Sequence, residues 1–172
     1  IEAALLAADI APGRCRRFAF MDWPSFDAER WVSVLDGSSA SSSPRIAASD
    51  RDAGAVRAAQ ANAERAGVAD RIEFSCRALS SLEPPAGPGW LVTNPPYGVR
   101  LKGRRDLRDL YARLGQVLRE RFPGWRASVL CPDARLLRAT GLPFGPGLPL
   151  LNGGLRVRAS TCRLDERGPR FV

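Results

Sequence analysis

The chain has 172 residues, 45% of them hydrophobic, which is enough for one domain with a substantial core. Its 26 Lys+Arg outweigh 18 Asp+Glu, for a net charge of +8 and a pI near 10.5, so polyanions are the favoured partners and nucleic acid comes first. No run approaches the ~20 apolar residues of a membrane span. No signal peptide is evident either, and a cytoplasmic protein without a membrane partner is expected.

Cys15, Cys76, Cys131 and Cys162 are scattered, with no C-x-x-C pair, and the chain contains no histidine. That donor set argues against a metal site and suits buried thiols in a reducing compartment.

Ile1 to Ala8 reads as the middle of a helix lacking a capping residue, which suggests a piece of a longer protein or a gene product with a displaced start; the helix is expected to stop near Pro12-Gly13. From Arg16 to Leu35 follows an irregular segment with Phe18, Phe20, Trp23, Phe26 and Trp31. Asp27 to Val32 could form a short helix within it. The aromatics suit packing over a sheet edge better than base binding. Gly37 to Pro44 is Ser-rich and reads as a flexible loop.

An alternating pattern begins next. A strand over Arg45–Ser49 ends at Asp50, and a helix over Asp52–Ala66 closes at Gly67. Arg71–Ser75 and Trp90–Thr93 read as strands. Asp106–Arg121 is an amphipathic helix, with Leu107, Leu110, Tyr111, Leu114, Val117 and Leu118 on one face. Arg126–Cys131 is a further strand and Asp133–Thr140 a short helix. Pro143, Pro146 and Pro149 suggest a connection into a final antiparallel edge strand over Leu155–Leu164, with Arg156 and Arg158 facing solvent. Such alternation predicts an α/β, doubly wound sheet in a single domain spanning 1–172.

Open sheets of this kind bind ligands at the carboxyl ends of their strands, where Asp50 and Asn94 stand. An acid after a strand can accept hydrogen bonds from both hydroxyls of a ribose; the alternative role for Asp50 is to cap the next helix, which Asp52 could do equally well. Asn94-Pro95-Pro96-Tyr97 follows the apolar run Trp90–Thr93. Its two prolines fix φ and remove two N–H donors, leaving an amide oxygen, a rigid carbonyl and a ring. These groups suit gripping a planar amine, the chemistry of N-methylation. Read as structure alone, the stretch is a turn with Tyr97 as packing.

Asp50, the strand near Phe74 and Asn94-Pro95-Pro96-Tyr97 together resemble the class I S-adenosylmethionine-dependent methyltransferases. Asn94 to Leu101, with Ile1-Glu2-Ala3-Ala4, Phe18–Trp31, Ala48-Ser49-Asp50 and Leu151-Asn152-Gly153, resembles their 23S rRNA guanine-N2 methyltransferase branch, the RlmL type. Members of that branch carry an RNA-binding THUMP domain ahead of the catalytic domain.

The resemblance implies a Rossmann-like, mostly parallel sheet with an antiparallel C-terminal strand. It implies S-adenosylmethionine as cofactor, held by Asp50, Arg51, Leu79 and Asn94, and Asn94, Pro95, Pro96 and Tyr97 as the catalytic motif. Arg100, Lys102, Arg104 and Arg105 then lie where flanking RNA phosphates would be held; as plain sequence they equally suit a solvated loop and helix face. Ribosomal RNA is the implied partner, with transfer RNA a further one.

In that branch the Ile-Glu-Ala-Ala helix directly follows a glycine-rich loop, so the first strand and its loop are expected to be missing from this chain. The branch also has an aspartate near Ala78 to accept the adenine amine, which Ala78 cannot do. Three other readings stay open: an adenine-N6 DNA methyltransferase, a glutamine-N5 protein methyltransferase, and a non-catalytic RNA-binding remnant.

Overall fold

The computed structural model describes residues 1–11, 13–14, 16–36, 44–97 and 104–165. They fall into two compact units, Ile1–Ala78 and Leu79–Val172. The Ser-rich loop expected over Gly37–Pro44 lies outside the described residues except for Pro44.

The first unit opens with α1 (Glu2–Ala7), which starts without a side-chain cap, as its sequence predicts. It ends earlier than the Pro12-Gly13 signal suggested. Asp9 turns to φ 54°, and the amides of Asp9 and Ile10 fold back onto the carbonyls of Leu6 (3.1 Å) and Leu5 (2.9 Å). That turn closes the helix before the proline is reached. After it comes α2 (Ala28–Asp36), capped by Asp27, whose Oδ1 accepts the Arg30 N–H at 3.0 Å. This helix runs past Val32, further than the sequence suggested.

The neighbouring aromatics pack on one another. Phe18 and Phe20 stack at 5.5 Å, and Trp31 meets both edge-on at 5.9 and 5.3 Å. Arg16 lies over the Phe18 ring.

A β-α-β unit completes this part: β1 (Ile46–Asp50), α3 (Ala53–Arg65) and β2 (Ile72–Cys76). The strands are parallel, in register from Ile46 opposite Ile72 to Asp50 opposite Cys76. Ala4, Ala63, Val68 and Ile72 form the small core, with Ile1, Leu5, Ile46 and Phe74 around it. At the strand entrance Arg45 donates to Glu73 at 2.8 Å, and the guanidinium holds that carboxyl below its ordinary pKa.

The second unit contains β3 (Trp90–Thr93), α4 (Arg104–Arg121), β4 (Arg126–Cys131), α5 (Ala134–Ala139), β5 (Leu148–Asn152) and β6 (Leu155–Arg163). The apolar face of α4 is buried as its spacing predicts: Leu107, Tyr111, Leu114, Val117 and Leu118 are all at most 5% exposed. Tyr111, Leu114, Val117 and Leu118 pack with Phe122, Leu137 and Cys162 against Ala127, Val129 and Cys131, alternate residues of β4.

Strand order is β3-β4-β6-β5, with β3 parallel to β4 and β6 antiparallel to both its neighbours. The final strand is therefore interior, and the edge is β5, which the prolines concealed. Proline is tolerated in such a strand, one side of which has no partner among the described residues. Gly153 (φ 55°) and Gly154 (φ 82°) form the tight turn joining β5 to β6; two successive positive φ values favour glycine at both places. Arg156 and Arg158 are exposed as expected but belong to this interior strand, and Arg158 donates to the carbonyls of Pro146 and Gly147.

Parallel β-α-β crossovers followed by antiparallel C-terminal strands make the α/β, Rossmann-like arrangement that the sequence predicted. The strands are divided between a two-stranded and a four-stranded sheet. Among the described residues no helix is long and apolar enough to cross a membrane, and no cluster of three metal-ligating side chains occurs.

Candidate functional site

The candidate residues fall at two loci, one in each unit. In the second unit β3 stays paired with β4 through Thr93 opposite Val129, and the chain leaves the sheet at Asn94. Two prolines cannot donate to a ladder, which explains why the strand stops there. Asn94 is exposed, Pro95 and Tyr97 are half-buried, and Pro96 is exposed. Asn152 Nδ2 donates to Tyr97 Oη at 3.0 Å, so the last residue of β5 holds the tip of the motif's ring. This locus offers an exposed amide oxygen, a rigid backbone and an anchored aromatic face.

A second tyrosine supports the same unit from within. Tyr111 is fully buried and donates to Cys131 Sγ at 3.3 Å, and that thiol donates to the Asp133 carbonyl at 3.4 Å. Burial pushes the Tyr111 phenol far above its ordinary pKa; the Cys131 contact and the charges of Cys131, Tyr97 and Asp133 push the same way. Tyr111 is thus held neutral.

In the first unit Asp50 ends β1. Its Oδ1 accepts the Asp52 N–H at 2.9 Å and its carbonyl accepts the Arg77 N–H at 2.9 Å. The cap of α3 is Asp52, whose Oδ1 accepts from Gly54 (2.6 Å) and Ala55 (3.3 Å). The capping role proposed as an alternative for Asp50 therefore belongs to Asp52. A carboxylate has about four acceptor positions, so the exposed Asp50 retains capacity for hydroxyl donors. Arg51 is exposed, and its carbonyl accepts from Cys76 Sγ at 3.5 Å.

Leu79 is half-buried and packs against the core of the second unit, at the start of the 3-10 turn Leu79–Ser81. Ala78 precedes it and is exposed. Arg100 and Lys102 lie outside the described residues, as do the side chains of Arg104 and Arg105, whose backbone begins α4. The structure thus groups Asp50 with Arg51 and Asn94 with Tyr97, each pair in its own unit.

Asn152 carries a contact that the sequence did not assign. Nothing local in the sequence points from it 55 residues back to Tyr97.

The sequence pattern of the RMKL-like methyltransferase domain matches residues 1–142 of this chain. The chain is 40% identical over 178 residues to the ribosomal RNA large subunit methyltransferase K/L of Shewanella sp. strain MR-4, covering 99% of this chain and 25% of that protein. It is 39% identical, with the same coverage, to the protein of that name from Shewanella baltica strain OS155. The chain spans about a quarter of the length of these curated relatives.

Among solved structures it resembles SMU.472, a putative methyltransferase complexed with SAH, with TM-score 0.83 and 28% identity over 94% of this chain and 43% of that one. A possible methylase from Clostridium difficile 630 gives TM-score 0.81 and 28% identity, over 98% and 45%. A predicted N6-adenine-specific DNA methylase from Listeria monocytogenes gives 0.75 and 26%, over 91% and 42%.

Proposed function

We propose, from the fact that this chain belongs to the RMKL-like methyltransferase domain family, that it takes part in S-adenosylmethionine-dependent methylation of the exocyclic N2 amine of a guanine in RNA. Ribosomal RNA of the large subunit is the first substrate class, in keeping with the names of the Shewanella relatives. Transfer RNA is the second. The cytoplasm is the proposed place of action.

The observation that carries the reading is Asn94-Pro95-Pro96-Tyr97 at the end of β3, with an exposed amide and a ring held by Asn152. A guanine N2 amine is a poor nucleophile because its lone pair is delocalised into the ring. The Asn94 side-chain oxygen and the Pro95 carbonyl each accept one of its N–H groups, which draws the nitrogen towards tetrahedral geometry and frees the lone pair. Tyr97 stacks on the base face, a contact worth ~1–3 kcal/mol in comparable single-stranded complexes. The base is unpaired or flipped out when it is bound. Positioning supplies most of the acceleration, so no strong general base is needed, and the chain has no histidine.

The bound cofactor supplies the electrophilic methyl group. Asp50 suits its ribose: it stands at a strand's carboxyl end with unused acceptor capacity, beside Arg51. Leu79 provides an apolar surface for the adenine, whereas the Ala78 side chain supplies no acceptor for the adenine amine. Arg100, Lys102, Arg104 and Arg105 are proposed to hold the phosphates that flank the target base.

Transfer of tritiated methyl groups to rRNA, tRNA, DNA and protein tests the proposal, followed by nucleoside analysis of the labelled RNA. N2-methylguanosine is expected. Label found in protein alone, or in N6-methyladenine of DNA, overturns it; the name of the Listeria neighbour makes the DNA arm worth running. Calorimetric titration with S-adenosylmethionine addresses the non-catalytic remnant, which stoichiometric binding excludes.

A further inference from the structure

We infer that Asn152 is a positioning residue: it holds Tyr97 by the hydroxyl so that the ring presents a fixed face to the nucleobase. The inference rests on the function proposed above and adds a residue to that site. Two constraints on Tyr97 meet at this bond. Its backbone follows two prolines, each with φ locked by its ring, so the chain enters the residue along a narrow path. What remains is rotation of the side chain, and the Asn152 Nδ2 contact at 3.0 Å restrains the far end of the ring.

Asn152 is itself well anchored. It closes β5 opposite Leu155, immediately before a turn whose two positive φ values are met by Gly153 and Gly154. The donor is therefore carried on a short, rigid hairpin rather than on a loose loop.

The contrast with Tyr111 separates this role from packing. Tyr111 is fully enclosed and spends its hydroxyl on Cys131 inside the core. Tyr97 is only partly buried, and its tip is held from another strand. A partly buried ring restrained at both ends is suited to receiving a planar partner, because the orientational entropy is lost on folding and not on binding.

The test is a double-mutant cycle on Asn152→Ala and Tyr97→Phe, reading KM for RNA and kcat in methyl transfer. Each single variant is expected to raise KM about three- to tenfold with kcat little changed, the signature of one lost neutral hydrogen bond acting on binding. The double variant is expected to be no worse than either single one, because both remove the same bond. In parallel, 13C-labelled tyrosine gives a signal for Tyr97, identified by its loss in Tyr97→Phe. Asn152→Ala is expected to move that signal and leave the Tyr111 signal in place, which also shows that the variant is folded. Additive KM losses, an unchanged KM in Asn152→Ala, or a shift of both tyrosine signals overturns the inference alone. A parent protein that methylates no RNA overturns the functional reading and this inference with it.

Discussion

The carbonyl oxygen of Thr140 occupies the space a side chain on Gly115 would need: a Cβ there would lie 1.8 Å away. The same carbonyl accepts from Arg119 Nη1 at 2.6 Å, so α4 approaches the end of α5 through one bare backbone position and one guanidinium. Gly115→Ala should cost about 3 kcal/mol, since the obstacle is backbone and not a flexible side-chain tip. Urea unfolding measures this, and a midpoint equal to that of the parent protein would contradict it.

Asp52 and Asp50 are two residues apart and should respond oppositely. Asp52→Ala removes the cap of α3 and should lower stability by about 1 kcal/mol while leaving cofactor affinity nearly intact. Asp50→Asn keeps an oxygen for the Asp52 N–H and should leave stability unchanged. Its neutral amide should weaken S-adenosylmethionine binding about tenfold or more, as expected when a charged acceptor is lost. Thermal unfolding and calorimetric titration of both variants decide the assignment; reversed effects would exchange the two roles.

Asn94→Ala removes the amide oxygen proposed to hold the substrate amine. A drop of about 10²-fold in kcat is expected, with KM for RNA little changed, by analogy with deleting one preorganised polar contact at a reacting centre. Steady-state methyl transfer gives both constants. A rise in KM alone would make Asn94 a binding residue and not a catalytic one.

Tyr111 predicts an alkaline weakness. Its phenol is raised above the ordinary value of 10.0, so above that pH the folded chain retains a proton that the unfolded chain releases. The stability it contributes is complete below pH 10.0 and is lost as pH climbs towards the raised value. Tyr111→Phe should therefore be near neutral at about pH 8 and should lose less stability than the parent between about pH 9 and about pH 11, the range around a free tyrosine. Urea midpoints across that range provide the check; parallel declines in the two proteins would refute it.

Elements with strong local signals were legible in the sequence. The 3.6-residue spacing of Leu107 to Leu118 gave the buried face of α4, and Asp27, Asp52 and Asp133 stand at the helix starts where short acidic side chains cap amides. Elsewhere the reading failed. Pro143, Pro146 and Pro149 point to a connection, yet Leu148–Asn152 forms the edge strand β5 and places β6 in the interior. The aromatics from Phe18 to Trp31 have no period to say what they pack on, and they chose each other. The candidate site divides in the same way. The Asn94–Tyr97 motif is contiguous and readable, whereas the Asn152 contact exists only because β6 reverses the chain and returns β5 to the sheet.

The interior place of β6 also bears on the order of assembly. Within the described sheet β5 pairs with β6 alone, so it cannot join before β6 does. The hairpin can close early through its two-glycine turn, but β6 must then find β4 about thirty residues earlier in the chain, a slower and longer-range event. Asn152 reaches Tyr97 on that hairpin. The Tyr97 ring is accordingly steadied only once the hairpin is seated on β4, and a chain arrested before that step would present the motif without its Asn152 contact.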